Sequence, residues 1–176
     1  MSSFSTSLIL IGMPGAGKST IGLLLAKALV KDFVDTDLLI QLQQGKTLQD
    51  IVDKDGYLKL REIEEQTLIN THYPNHIIAT GGSAVYSTKA MKHLHQFGQI
   101  IFLDVALPEL YKRIHNFENR GLARHPSQNL EELFNERRAL YQAFANIIIN
   151  CTGKPQEQIV SEIIYEAAEA FTEQDA

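Results

Sequence analysis

The sequence predicts an α/β domain in three layers, a parallel sheet covered by helices on both faces. Short apolar runs alternate with stretches whose apolar residues recur at helical spacing, the pattern of strands joined by crossover helices. A complete phosphate-loop motif stands at the first strand-to-helix junction. Gly12, Asp35, Gly81 and Gly82 fall at the carboxyl ends of the predicted strands. Ligands in open parallel sheets bind at those ends, so the topology and the motif point to one edge of the molecule.

Each element has its own signal. Ser7-Leu8-Ile9-Leu10-Ile11 is an apolar run closed by Gly12, which suits a buried strand, and Ser19 to Val30 carries Leu, Ile and Ala at helical spacing. Residues 32–35 form a short second strand. From Asp37 to about Asn70 two helical patterns appear, broken near Gly45 and Asp55-Gly56. His76 to Thr80 is a third strand ending in Gly81-Gly82, followed by a helix at about 88–96 and a strand from Gln99 to Asp104. A helix starts at Pro108, a residue suited to the first turn. Residues 117–129 are polar and irregular, with Gly121 and Pro126. The helix from Leu130 to Ala145 is capped by Asn129 with Glu132 behind it. Ile147-Ile148-Ile149 is the last strand, and Pro155 opens a terminal helix to about Phe171.

Composition narrows the function classes. The chain has 176 residues, 44% hydrophobic and 21% charged, with a formal net charge of −5. No repeat or proline-rich linker divides it, so a single domain over 1–176 is expected, large enough for a core without disulfide staples. Cys151 is the one cysteine, which excludes an internal disulfide and a cysteine zinc cluster. The acidic balance argues against a nucleic-acid partner. The longest apolar stretch is too short to span a bilayer and lacks the marks of a signal peptide, so a cytoplasmic protein without a membrane partner is expected. The six histidines show no ligand spacing, and Cys151 reads as inert packing.

Gly12-Met13-Pro14-Gly15-Ala16-Gly17-Lys18-Ser19 satisfies G-x-x-x-x-G-K-[ST] in full. Glycines let the backbone curl so that successive amides point inward around a polyphosphate. The helix that follows aims its positive end at the same place. Lys18 then reaches the outer phosphates, and the Ser19 hydroxyl ligates magnesium. The motif predicts a nucleoside triphosphate site.

Phe33-Val34-Asp35-Thr36-Asp37 puts two carboxylates at the end of the second strand, on one face by strand alternation. One can hold magnesium through water, and the other can accept a hydrogen bond from the hydroxyl to be phosphorylated. All six arginines lie between positions 61 and 138. Their planar forks suit carboxylate and phosphate.

Gly12 to Thr20, Asp35-Thr36-Asp37, Leu60 to Glu65, Ala79-Thr80-Gly81-Gly82, Arg113 with Arg120, and Arg137 through Tyr141 stand in the order and spacing of one family. On these motifs, over roughly residues 7–165, the chain resembles the shikimate kinases. The resemblance implies a nucleoside-monophosphate-kinase-like P-loop fold and a monomeric cytoplasmic enzyme. The implied reaction is transfer of the γ-phosphoryl of ATP, with Mg2+, to the 3-hydroxyl of shikimate on the way to aromatic amino acids.

The resemblance also implies roles. The loop from Gly12 through Gly15, Ala16, Gly17, Lys18, Ser19 and Thr20 would hold the nucleotide, with Arg113 and Pro155 walling the adenine. Ser19 and Asp35 would serve the metal. Asp37 would hold the acceptor hydroxyl, Arg61 and Arg137 would clamp the acceptor carboxylate, and Gly81 and Gly82 would donate backbone contacts. Lys18, Asp37 and Arg120 form the catalytic set, with Arg120 swinging over the phosphates from a lid at about 117–129. The acceptor would be held by the segment at about 37–70.

Departures from the family pattern gather at the acceptor pocket and lid: Ser83 for a third glycine, Leu60 and Val52 for phenylalanines, Tyr57 for a glutamate after Gly56, Ala139 for a proline, and Arg120-Gly121-Leu122-Ala123 in the lid. Gly121 is expected to loosen the lid relative to proline. Two further readings stay open on the residues: a P-loop kinase for another small hydroxy acid, and a nucleotide-dependent binding module without efficient transfer. Arg138 reads as an alternative to Arg137, and Arg124 matches no position of the family pattern, leaving a lid role or a solvated one open.

Overall fold

In the computed structural model, residues 6–115, 117 and 121–174 are described. Five strands form one parallel sheet: β1 (Ser7–Ile11), β2 (Asp32–Asp35), β3 (His76–Ala79), β4 (Gly98–Asp104) and β5 (Ile147–Asn150), in the order β2-β3-β1-β4-β5. The strands sit where the apolar runs predict them. β1 is central and wholly buried, which is why its five residues read as continuous rather than alternating hydrophobicity. The chain leaves β1 for neighbours on both sides, so a crevice opens beyond its carboxyl end. Ser7, the one polar residue of β1, is satisfied in place: its hydroxyl donates to the Tyr73 carbonyl at 2.7 Å and accepts from the His76 amide at 3.0 Å.

The helices among the described residues are α1 (Lys18–Leu29), α2 (Thr36–Gln44), α3 (Leu48–Asp55), α4 (Tyr57–Ile69), α5 (Thr88–His95), α6 (Leu107–Arg113), α7 (Leu130–Phe144) and α8 (Gln156–Gln174). Residues 37–70 hold three helices where two helical patterns were expected, because both breaks, at Gly45 and Gly56, are complete. Local chemistry sets the starts. Asn129 and Glu132 form the expected capping box of α7, and Thr47 and Asp50 form another for α3. Such caps contribute about 1 kcal/mol each. No helix among the described residues is long and apolar enough to cross a membrane.

A large core surrounds the sheet. A second, smaller one joins Ile40, Ile51, Leu60 and Ala123, with Leu48, Val52 and Ile63 against it. This satellite ties the loop before α7 to α2, α3 and α4, the three helices that wall one side of the crevice.

Candidate active site

The first glycine turn forms as the motif requires. Gly12 has φ 147°, and a Cβ there would lie 2.8 Å from the Leu103 carbonyl, so the loop passes too close to β4 for any side chain. The loop curls with the Ala16 amide donating to the Met13 carbonyl at 3.0 Å, and α1 begins at Lys18. The Lys18 ammonium is buried and donates to the carbonyls of Gly12 (2.8 Å) and Met13 (3.0 Å). It stands at the mouth of the amide cradle. Ser19 and Thr20 face out on the first turn of α1.

Asp35 and Asp37 are arranged differently from the expected strand pair. Asp35 ends β2 and caps α2, accepting from the amides of Asp37 (3.0 Å) and Leu38 (3.3 Å). Helix therefore begins at Thr36, and Asp37 belongs to its first turn rather than to an extended strand. The two carboxylates part: Asp35 Oδ2 accepts from the Ser19 hydroxyl at 2.5 Å, while Asp37 faces the second glycine turn.

That second turn follows β3. The Thr80 amide and hydroxyl both donate to the Leu10 carbonyl, at 3.1 and 2.9 Å, and the Gly81 amide donates to the Thr36 hydroxyl at 3.2 Å. A Cβ on Gly81 would collide with Glu64 Oε1 and lie 2.6 Å from Asp37 Oδ1; one on Gly82 would lie 2.8 Å from Arg137 Nη1. Asp37, Glu64 and Arg137 thus converge on one backbone corner. The Tyr141 hydroxyl fixes that corner by donating to the Gly82 carbonyl at 2.6 Å.

The arginines sort by environment. Arg137 is 1% exposed and lines the crevice. Arg138 turns away to a two-point pair with Asp104, at 3.2 and 2.7 Å. Arg61 reaches from α4, and its Nε donates to the Ala123 carbonyl at 3.1 Å, the same oxygen that accepts from Arg137 Nη2 at 3.0 Å. Arg124 is buried and donates to the carbonyls of His125, Pro126 and Gln128 (3.2, 3.0 and 2.7 Å), so it shapes its own loop.

Arg113 donates to the Gly15 and Ala16 carbonyls at 3.3 and 3.5 Å and pairs with Glu109. Glu109 also accepts from the Gly153 amide at 2.9 Å, which brings the loop before Pro155 alongside Arg113. Arg120, placed over the phosphates by the family pattern, lies outside the described residues.

Gly121 differs from expectation. It holds φ 65°, its amide donates to Gln49 Oε1 at 2.5 Å, and a Cβ would lie 2.5 Å from the Gln49 amide nitrogen. The position is tightly built against the start of α3 rather than loosened. Proline has neither the N–H nor the left-handed φ that this contact uses.

One cleft of about 240 Å3 connects these parts, lined by Lys18 and Ser19 at one end and by Asp37, Glu64, Gly82 and Arg137 at the other. Glu64 is the cleft residue to which the sequence motifs assign no role, since it sits among other charges in a helix. It is buried, and Oε2 has no hydrogen-bond partner. Burial, with Asp37 nearby, pushes its carboxyl up to about 8, against the pull of Arg137, Arg61 and Lys18. The signal for it was spacing: position 64 falls four after buried Leu60 and four before buried Leu68, on the inward face of α4.

Arg61 lines the neighbouring hollow beside Tyr86 rather than this cleft. A phosphate cradle opening onto a pocket with a carboxylate and a buried arginine defines a P-loop phosphotransferase for a small acceptor. A shikimate kinase family model matches residues 14–168, and the chain belongs to the shikimate kinase family. It is 34% identical over 161 residues to a shikimate kinase of Sulfurihydrogenibium sp., covering 90% of this chain and 95% of the relative. It is 39% identical over 153 residues to a shikimate kinase of Synechococcus elongatus, covering 85% and 80%. A solved shikimate kinase from Acinetobacter baumannii, in complex with shikimate, matches with a TM-score of 0.85 at 26% identity over 96% of each chain.

Proposed function

We propose that this chain transfers the γ-phosphoryl group of ATP to the 3-hydroxyl of shikimate, giving shikimate 3-phosphate and ADP. The observation that carries the reading is the single cleft holding Lys18 and the phosphate loop at one end and Asp37 with Arg137 at the other. An acceptor with a hydroxyl and a carboxylate fits that polarity, and Arg61 beside Arg137 supplies the second arm of the carboxylate clamp. Family membership and a relative solved with shikimate support the choice of acceptor.

Each residue then has a task. The amides of Gly15, Gly17, Ser19 and Thr20 surround the phosphates, and Lys18 turns from the loop carbonyls to the outer oxygens. Asp37 accepts the hydrogen of the acceptor hydroxyl and takes up its proton as the new P–O bond forms. The bond from the γ-phosphorus to ADP breaks on the opposite side. Gly81 and Gly82 present backbone where a side chain would exclude the acceptor. Arg113 and the loop at Pro155 flank the adenine, and Arg120 covers the phosphates. Residues 37–70 form the acceptor-binding segment and 117–129 the lid, which keeps water from the γ-phosphate.

The donor set also suits Mg2+. Ser19 Oγ and Asp35 Oδ2 are both oxygens, 2.5 Å apart at the mouth of the cradle. No group of three or more His, Cys, Asp or Glu among the described residues could hold a metal alone. One or two protein oxygens completed by phosphate and water is the usual magnesium arrangement. When bound, the ion neutralises phosphate charge. The reading carries the family's expectation of a cytoplasmic monomer.

Coupled ADP release with ATP and Mg2+, with and without shikimate and beside a panel of other hydroxy acids, tests it. Turnover that depends on shikimate is expected; turnover with another acid only would move the acceptor assignment.

A further inference from the structure

Two groups hold the two clamp arginines: the Ala123 carbonyl and Tyr86. Tyr86 lies on the 3-10 turn Ala84–Tyr86 that follows the second glycine turn. The Arg61 guanidinium stacks on its ring, with Cζ 3.6 Å from the ring centre, and Arg137 Cζ stands 5.3 Å from the same centre. The Tyr86 hydroxyl accepts from Arg137 Nε at 3.3 Å and donates its own hydrogen to the Glu136 carboxylate. Glu136 is held in turn by Gln128 Nε2, which donates to it at 2.7 Å.

We propose that Tyr86 is a positioning residue for acceptor binding, setting the spacing and orientation of Arg61 and Arg137 before the acceptor carboxylate arrives. Two guanidinium groups repel each other, and the half-buried Arg61 has a long, flexible stem. An aromatic face attracts a cation through its ring quadrupole and restricts it to a plane. One ring therefore offsets the repulsion and fixes the fork of Arg61, while its hydroxyl fixes that of Arg137. Burial and the bond to Glu136 hold the phenol above its ordinary range, so it stays a neutral hydroxyl with one hydrogen to donate and lone pairs to receive Arg137. Arg61 commits Nε and Arg137 commits Nε and Nη2 to these holders. Arg137 Nη1 is left directed at the Gly82 corner. Tyr86 touches neither the phosphate loop nor Asp37 through any of these contacts, so its effect belongs to the acceptor side alone.

The inference rests on the clamp reading, and the experiment separates the two. Tyr86→Phe keeps the ring and removes the hydroxyl; Tyr86→Leu removes both. Steady-state ADP release gives KM for shikimate, KM for ATP and kcat for each variant beside the unaltered chain, with Tm measured in parallel. The expected result is a rise in shikimate KM of about threefold for Tyr86→Phe and about tenfold or more for Tyr86→Leu, with ATP KM within about twofold. Partial rescue by Phe relative to Leu separates ring from hydroxyl, which a general loss of packing does not do. An unmoved shikimate KM in Tyr86→Leu, or equal rises for both substrates, overturns the inference while leaving the clamp standing. If Tyr86→Leu does not fold, Tyr86→Phe decides by the same readout. Absence of shikimate-dependent turnover in the unaltered chain overturns both the clamp reading and the inference built on it.

Discussion

Arg61 and Arg137 come from different helices, α4 and α7, yet donate to one and the same oxygen, the Ala123 carbonyl, at 3.1 and 3.0 Å. That shared acceptor joins the two arms of the proposed clamp to the loop before α7. On the proposed clamp reading, an acceptor carboxylate would meet a pair already brought together by the protein.

Lysine cannot replace a fork that must serve both the loop oxygen and a carboxylate. Arg61→Lys and Arg137→Lys should each raise KM for shikimate by about tenfold to a hundredfold, with ATP binding little changed. Steady-state kinetics with each substrate varied in turn checks this. Equal weakening of both substrates would remove the clamp assignment.

Asp37 faces the Gly81 corner within the cleft that also holds Lys18. Asp37→Asn keeps the shape and removes the proposed base. Turnover should drop about a hundredfold to ten-thousandfold, while ATP titration remains close to that of the unaltered chain. A nucleotide-binding module without transfer chemistry would lose little.

Glu64 gives a pH dependence with a definite sign. Its folded carboxyl is pushed up to about 8 from an ordinary 4.5, so between those values the folded chain keeps a proton that the unfolded chain has released. Its contribution to stability is complete below about pH 4.5 and is lost as pH rises through 8, with a slope of up to about 1.4 kcal/mol per pH unit. Tm should therefore fall more steeply across this window in the unaltered chain than in Glu64→Gln. Parallel Tm profiles would show that Glu64 ionises as an ordinary carboxylate does.

Val30 ends α1 in the left-handed region, at φ 53° and ψ 50°, and is 90% exposed. A β-branched residue has no packing there to offset that conformation. Val30→Gly should stabilise the fold by about 1 kcal/mol, seen as a raised Tm with unchanged kinetics.

Gly121→Pro should break the Gln49 contact and shift the loop off α3. The expected effects are a higher KM for shikimate and more ATP hydrolysis without acceptor. An unchanged acceptor-free hydrolysis rate would show that this contact does not govern water exclusion.

Most of the fold was legible because its signals are local. β1 is a continuous apolar run, the phosphate loop is a fixed pattern of glycines before a helix, and Asn129 with Glu132 marks the start of α7. Of the residues the sequence singles out, Lys18, Asp37 and Arg137 share one cleft and Arg61 lies beside Arg137 in the next hollow. What escaped depends on packing. Alternation puts Asp37 on a strand because it carries β2 two residues past Asp35, which instead ends the strand and caps α2. Glu64 passed as one charge among many in α4. The Ala123 carbonyl has no side-chain signature at all, and Tyr86 acts through a ring that only the tertiary fold brings beneath Arg61.

The most direct test of the central claim is product analysis by 31P NMR, with ADP counted in the same sample containing the chain, ATP, Mg2+ and shikimate. The account predicts one shikimate 3-phosphate for each ADP, and loss of both signals in Asp37→Asn. ADP release indifferent to shikimate, with ATP still bound, would contradict it.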